Sequence, residues 1–217
     1  MTQDPTSPSS TTPGNTSSGN TAPPSPEGSN PIGQRIVWID CEMTGLDLVK
    51  DALCEIACIV TEGDLTPLDD GISMVIKPPT EALAAMDPFV VNMHNESGLM
   101  PELDAGVSIA EATERTLAYV RQHVPEPRKA PLAGSTIYVD RGFIARDMPD
   151  LDEYLHYRVI DVSSIKELLK RWYPKVYYGS PEKTGNHRAL GDIQDSIAEL
   201  DYYRATTILP VDPALQV

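Results

Sequence analysis

Three apolar runs joined by short turn segments precede the first helical pattern, and this order most constrains the fold. Residues 35–41 (RIVWIDC), 53–60 and 71–77 (GISMVIK) are rich in β-branched and apolar residues. The turn residues Thr44-Gly45-Leu46-Asp47 separate the first pair, and Gly63-Asp64 with Pro67 the second. Connections this short join antiparallel neighbours, so the runs predict a three-stranded meander. Helical spacing follows over about 81–95, broken near Asp87-Pro88, and again over 108–124. There Ser108 is placed as N-cap, Glu111 completes a capping box and Pro125 is the stop. A fourth strand is predicted at 132–137, a helical segment from Asp140 and a fifth strand at 157–162. Ser163 and Ser164 then open a helix, with Glu167 as box residue and Pro174 as stop. The last helix is predicted over 188–205, with Leu190, Ile193, Ile197 and Leu200 on one stripe. A meander followed by alternating strands and helices implies one α/β domain: a mixed five-stranded sheet with helices on both faces.

The first 33 residues are a different polymer. They are almost entirely Ser, Thr, Pro, Gly, Asn and Ala, with only Asp4 and Glu27 charged. Such a segment buries too little apolar surface to offset its ordering entropy and reads as a disordered tail. It lacks the cationic start and apolar stretch of a secretory signal. The expected division is a tail at 1–33, a folded domain at 34–209 and a short C-terminal tail at 210–217. No apolar run is long enough for a membrane span. Three cysteines, Cys41, Cys54 and Cys58, lie in predicted strands without a CxxC spacing, which points to reduced core thiols in a cytoplasmic protein. A disulfide or thiolate metal site is the alternative.

The formal net charge is −15, nearly all of it outside the tail. A protein that tracks a long polyanion presents a basic stripe. This field repels long nucleic acid, so a nucleic-acid substrate should be short, or neutralised locally by metals and a few basic groups. Acidity kept only for solubility is the plainer reading.

Side chains two apart on a strand share a face, so Asp40 and Glu42 present two carboxylates together while Cys41 faces the other way. Like charges so close are costly to bury, and a divalent cation held by carboxylate oxygens relieves that cost. Alternatively the strand ends there and both acids are solvated. Asp140, after the fourth strand, has the position of an ordinary N-cap. Asp192, in the first turn of the last helix, is favoured by the helix dipole. His187 stands just before that helix, in the loop after Lys183-Thr184-Gly185-Asn186. Taken together, Asp-x-Glu on a strand, a later Asp and His-x4-Asp at a helix start match the donors of a two-metal hydrolysis, with the histidine as general base.

The order Asp40-x-Glu42, Asp140, His187-x4-Asp192 resembles the DEDDh exonucleases of the ribonuclease-H-like fold. The stretches IVWIDCEMTGLD, HNESGL, HYRVIDVSSIKEL and HRALGDIQDSI resemble the oligoribonuclease family, over residues 36–206. The resemblance implies a 3′→5′ exoribonuclease acting on di- and oligonucleotides, working as a homodimer with two Mg²⁺ or Mn²⁺ ions. It makes Asp40, Glu42, Asp140 and Asp192 the metal ligands and His187 the general base. By motif position Leu46 wedges between two bases, and Ser135, Arg158 and Ser163 contact the 5′ phosphate and close the site to longer chains. His94 and Tyr157 fall in binding motifs, with Tyr157 reaching the neighbouring subunit's site. Phe89 stands where the family usually has tryptophan, giving a smaller ring to stack on a base. Gly191, in the run RALGDI, loosens the helix turn that carries Asp192. Leu46 as a packed turn residue and Ser163 as a helix N-cap are the competing structural roles. Two other functions compete: trimming of single-stranded DNA 3′ ends, against which the acidic charge argues, and a non-catalytic nucleotide-binding module, against which the full catalytic set argues.

Overall fold

A computed structural model describes residues 34–208 except Thr184 and Asn186; both terminal tails therefore lie outside the described residues. The element order is β1 (Ile36–Met43), β2 (Leu53–Thr61), β3 (Ile72–Val75), α1 (Thr80–Ala84), α2 (Pro88–Glu96), α3 (Ile109–His123) and β4 (Pro131–Gly134). Then come α4 (Tyr138–Asp147), α5 (Pro149–Tyr154), β5 (His156–Asp161), α6 (Val162–Trp172), α7 (Pro174–Tyr178) and α8 (Ala189–Thr207). One sheet runs β3-β2-β1-β4-β5. The first three strands pair antiparallel, while β4 and β5 join in parallel, giving the expected mixed five-stranded sheet.

Alternation along β1 divides the core in two. Val37, Ile39 and Cys41 pack with Leu117 and Val120 of α3, Phe143 and Ile144 of α4 and Leu151 of α5. Ile36 and Trp38 pack on the opposite face with Leu169 of α6 and Ile193, Ile197 and Tyr203 of α8. Trp38 is fully buried, its indole N–H donating to Thr61 Oγ1 at 3.1 Å. The three cysteines are buried and free, consistent with core thiols.

Several local expectations are corrected. β1 extends to Met43, so Asp40 and Glu42 lie inside a paired strand, opposite Ala57 and Glu55 of β2. β4 ends at Gly134, and Ile137 already precedes α4. Asp140 is not an N-cap: it lies in the first turn of α4, whose cap position Ile137 makes no side-chain bond. Ser163 is not a cap either. Asp161 caps α6, accepting from the Ser163 N–H at 2.9 Å. Ser108 does cap α3, accepting from the Glu111 N–H at 3.2 Å. The short helices α5 and α7 had no sequence expectation; each begins with proline at its first position, where a missing N–H costs nothing.

Candidate active site

Asp40 and Glu42 occupy the sheet face that carries Trp38, beyond the point where the apolar packing stops. The start of α8 brings Asp192 to the same place. Carboxylate oxygens of Asp40, Glu42 and Asp192 lie within 4.8 Å of one another. Asp140 comes from α4, and its Oδ1 accepts the Cys41 N–H at 3.0 Å, fixing it against the middle of the Asp-x-Glu pair.

Concentrating these acids changes their chemistry. Burial pushes the Asp40 carboxyl up to about 9, helped by the charges of Asp140, Asp192 and Glu42. Burial, then Asp192 and Glu55, raises Glu42 to about 8, with Arg188 opposing. Asp140 is raised to about 7 by burial, against the pull of its hydrogen bond from Cys41. Burial also raises Asp192, partly offset by the neighbouring His187 and Lys183. Such a cluster holds its full negative charge only beside a cation. Its donors are hard oxygens, the set that suits a divalent ion of the Mg²⁺ class. His187 is exposed at the mouth, its backbone at φ 48°.

The other predicted residues divide. Leu46 is 73 % and Phe89 76 % exposed, and both stand free to meet a ligand. The loop beneath Leu46 is built by buried Asp51, which accepts from the Asp47 N–H at 2.9 Å and the Thr44 hydroxyl at 3.3 Å. Arg146 of α4 donates to the Asp51 carbonyl at 2.9 Å, tying this loop to the helix of Asp140. Ser135 Oγ lies 3.1 Å from Ser196 Oγ of α8. Next to it, the Thr136 N–H donates to Ser163 Oγ and Asp161 Oδ1, both at 3.0 Å, so Ser135 and Ser163 belong to one stitched turn. Tyr157 and Arg158 are exposed on edge strand β5, the guanidinium 5.4 Å from the Tyr157 ring centre. His94 is placed differently. It is fully buried and its Nε2 donates to the Met43 carbonyl at 2.8 Å, so in this conformation it supports the end of β1 instead of facing the surface.

Sequence reasoning missed Glu55, Arg188, Asp161 and Asp51. Glu55 alone left a signal: a single acid inside nine consecutive buried strand residues, paired by the Arg188 guanidinium at 2.9 Å.

Comparisons with known proteins identify the family and the fold. The family RNase_T, described as exonuclease, matches residues 37–200. The oligoribonuclease of Streptomyces coelicolor is 57 % identical over 179 residues, covering 82 % of this chain and 90 % of that protein. That of Rhodococcus jostii is 58 % identical over 177 residues, covering 81 % and 89 %. Among solved structures, metal-free E. coli exonuclease I with single-stranded DNA aligns with TM-score 0.60 at 16 % identity, over 80 % of this chain. The zinc-bound form gives 0.62 at 15 % identity. The chain spans about two fifths of exonuclease I, and the likeness establishes the shared fold. With the acidic cluster in place and relatives matched along nearly their whole length, this chain belongs to the oligoribonuclease family of exonucleases.

Proposed function

We propose that the chain degrades short RNA, dinucleotides above all, from the 3′ end to 5′-mononucleotides. One observation carries the reading: three carboxylates from β1 and α8 converge within 4.8 Å, with Asp140 alongside. Asp40, Glu42, Asp140 and Asp192 would hold two divalent ions, Mg²⁺ or Mn²⁺. When bound, these ions activate water and neutralise charge developing on the leaving oxygen. The His187 imidazole accepts the proton of the attacking water, and its exposure leaves it accessible to that water. Leu46 inserts between the two bases and Phe89 stacks on one of them. The turn holding Ser135 and Ser163, together with Arg158, receives the 5′ phosphate, where a planar guanidinium pairs well with phosphate oxygens. A site capped in this way, in a chain of net charge −15, favours a short substrate over a long one.

The working unit is a homodimer. Edge strand β5 exposes Tyr157 and Val159, and α6 exposes Leu168 and Trp172, an apolar surface suited to a second copy. Tyr157 would then reach the partner's site, and His94 would join substrate binding only through a rearrangement of α2. The catalytic domain is 34–209, flanked by tails. Free, buried thiols fit a cytoplasmic setting, and no helix among the described residues is long and apolar enough to cross a membrane.

Product analysis on a 5′-phosphorylated RNA dinucleotide and a seven-residue RNA, with Mg²⁺ or with chelator, tests the reading. Metal-dependent release of 5′-mononucleotides, fastest from the dinucleotide, is expected. Preference for long single-stranded DNA would favour the DNA-trimming alternative.

A further inference from the structure

The segment carrying His187 is bracketed by two cations, Lys183 and Arg188, and each meets a carboxylate buried in the fold. At one end the Arg188 guanidinium straddles Glu55 of β2, with Nε 3.2 Å from both oxygens and Nη2 2.9 Å from Oε1. The same group reaches Glu102, in the turn before α3, at 3.0 Å. Glu55 is 1 % exposed and also accepts the Ala189 N–H at 3.2 Å. Ala189 begins α8, which has no side-chain cap of its own, so a strand carboxylate supplies that cap from 134 residues away. At the other end Lys183 Nζ lies 3.3 Å from Oε2 of Glu199 in α8. Glu199 is 3 % exposed, and its Oε1 is held by Lys166 and the Tyr203 hydroxyl, both at 2.7 Å.

Between these anchors the backbone is unusual. Gly185 has φ 63° and His187 φ 48°. A non-glycine residue in the left-handed region is strained and persists where its surroundings over-determine it. A buried carboxylate is costly without its cation, and Glu55 has Arg188, so that end of the segment is held firmly, while at the other end Lys183 joins Lys166 on Glu199. Glu55 also pairs in register with Glu42, so the Arg188 anchor refers the histidine to the strand that carries the acidic cluster.

We propose that the Arg188–Glu55 and Lys183–Glu199 pairs are the two anchors that set His187 over the acidic cluster. Arg188 and Lys183 are positioning residues, acting on hydrolysis through His187. The inference rests on His187 as general base, and its test separates the two ideas. Kinetics on an RNA dinucleotide with Mg²⁺, using the full chain, compare Lys183→Met, Arg188→Lys and His187→Ala singly and in combination. Misplacing a catalytic group by about 1 Å costs on the order of 10²-fold, so each anchor variant should lose about tenfold or more in kcat. KM should stay within about twofold, because the loss is confined to a group acting in the chemical step. The rise in melting temperature on adding Mg²⁺ should persist. In the His187→Ala background the anchor substitutions should cost far less, since what acts through the missing imidazole is gone and only the minor influence of Arg188 on Glu42 and of Lys183 on Asp192 remains. An equal loss in that background, or a raised KM at unchanged kcat, would overturn the anchor role while leaving the general base standing. Full kcat in His187→Ala would overturn both. Lys183→Met alters a partly exposed side chain, so it keeps the test decisive if Arg188→Lys fails to fold.

Discussion

The two faces of β1 start alike and end differently. On one, Val37, Ile39 and Cys41 continue the hydrocarbon packing along the strand beneath α3, α4 and α5. On the other, Ile36 and Trp38 pack beneath α6 and α8, and then Asp40 and Glu42 stand where apolar side chains would continue. The first face maximises burial. The second gives up apolar packing for buried carboxyls raised far above their ordinary range. One eight-residue strand thus separates stability from chemistry by the alternation of its side chains.

Substitutions on the two faces should therefore fail in different ways. Asp40→Asn should remove turnover altogether. The metal-free protein should melt no lower at pH 7, because the Asp40 carboxyl, pushed up to about 9, already holds its proton there. A large fall in melting temperature would make Asp40 a structural residue. His187→Ala should lower kcat by about 10²- to 10⁴-fold and leave the fold intact. On the opposite face, Ile39→Ala should cost about 2–5 kcal/mol in denaturant unfolding. Its kcat, measured well below the melting point, should be near that of the parent; a kcat loss as large as that of His187→Ala would dissolve the distinction between faces. Ser108→Ala should be the mildest, removing the α3 cap for about 1 kcal/mol with no change in turnover.

Much of this division is legible in the sequence. The period-two pattern of IVWIDCEM alone places Asp40 and Glu42 together, and His-x4-Asp places Asp192 one turn into α8. What escapes is set by partners distant in the chain. Where β1 ends depends on its pairing with β2, including an irregularity between Glu42 and Met43 that no local propensity records. Asp140 has the composition of a cap but bonds to Cys41, 99 residues earlier. His94 lies in a polar stretch, HNESGL, yet is buried because the Met43 carbonyl offers its ring a partner. Arg188 is an ordinary helix-flanking cation until β2 brings Glu55 beneath it. The cap role that competes for Ser163 falls to Asp161, two residues earlier, whose carboxylate also accepts from Thr136 across the turn.

The central claim is that the carboxylate cluster is built for a divalent cation, and thermal melting across pH 5–9 tests it most directly. In metal-free protein Asp40 and Glu42 are raised in the fold to about 9 and about 8, from ordinary values near 4. Over this range the folded state therefore binds more protons than the unfolded one, and stability must fall as pH rises. The account predicts a melting temperature that declines from pH 5 to 9 in EDTA and is restored by Mg²⁺ or Mn²⁺, with the largest restoration at the alkaline end. A flat profile in EDTA, with no rise on adding metal, would contradict it.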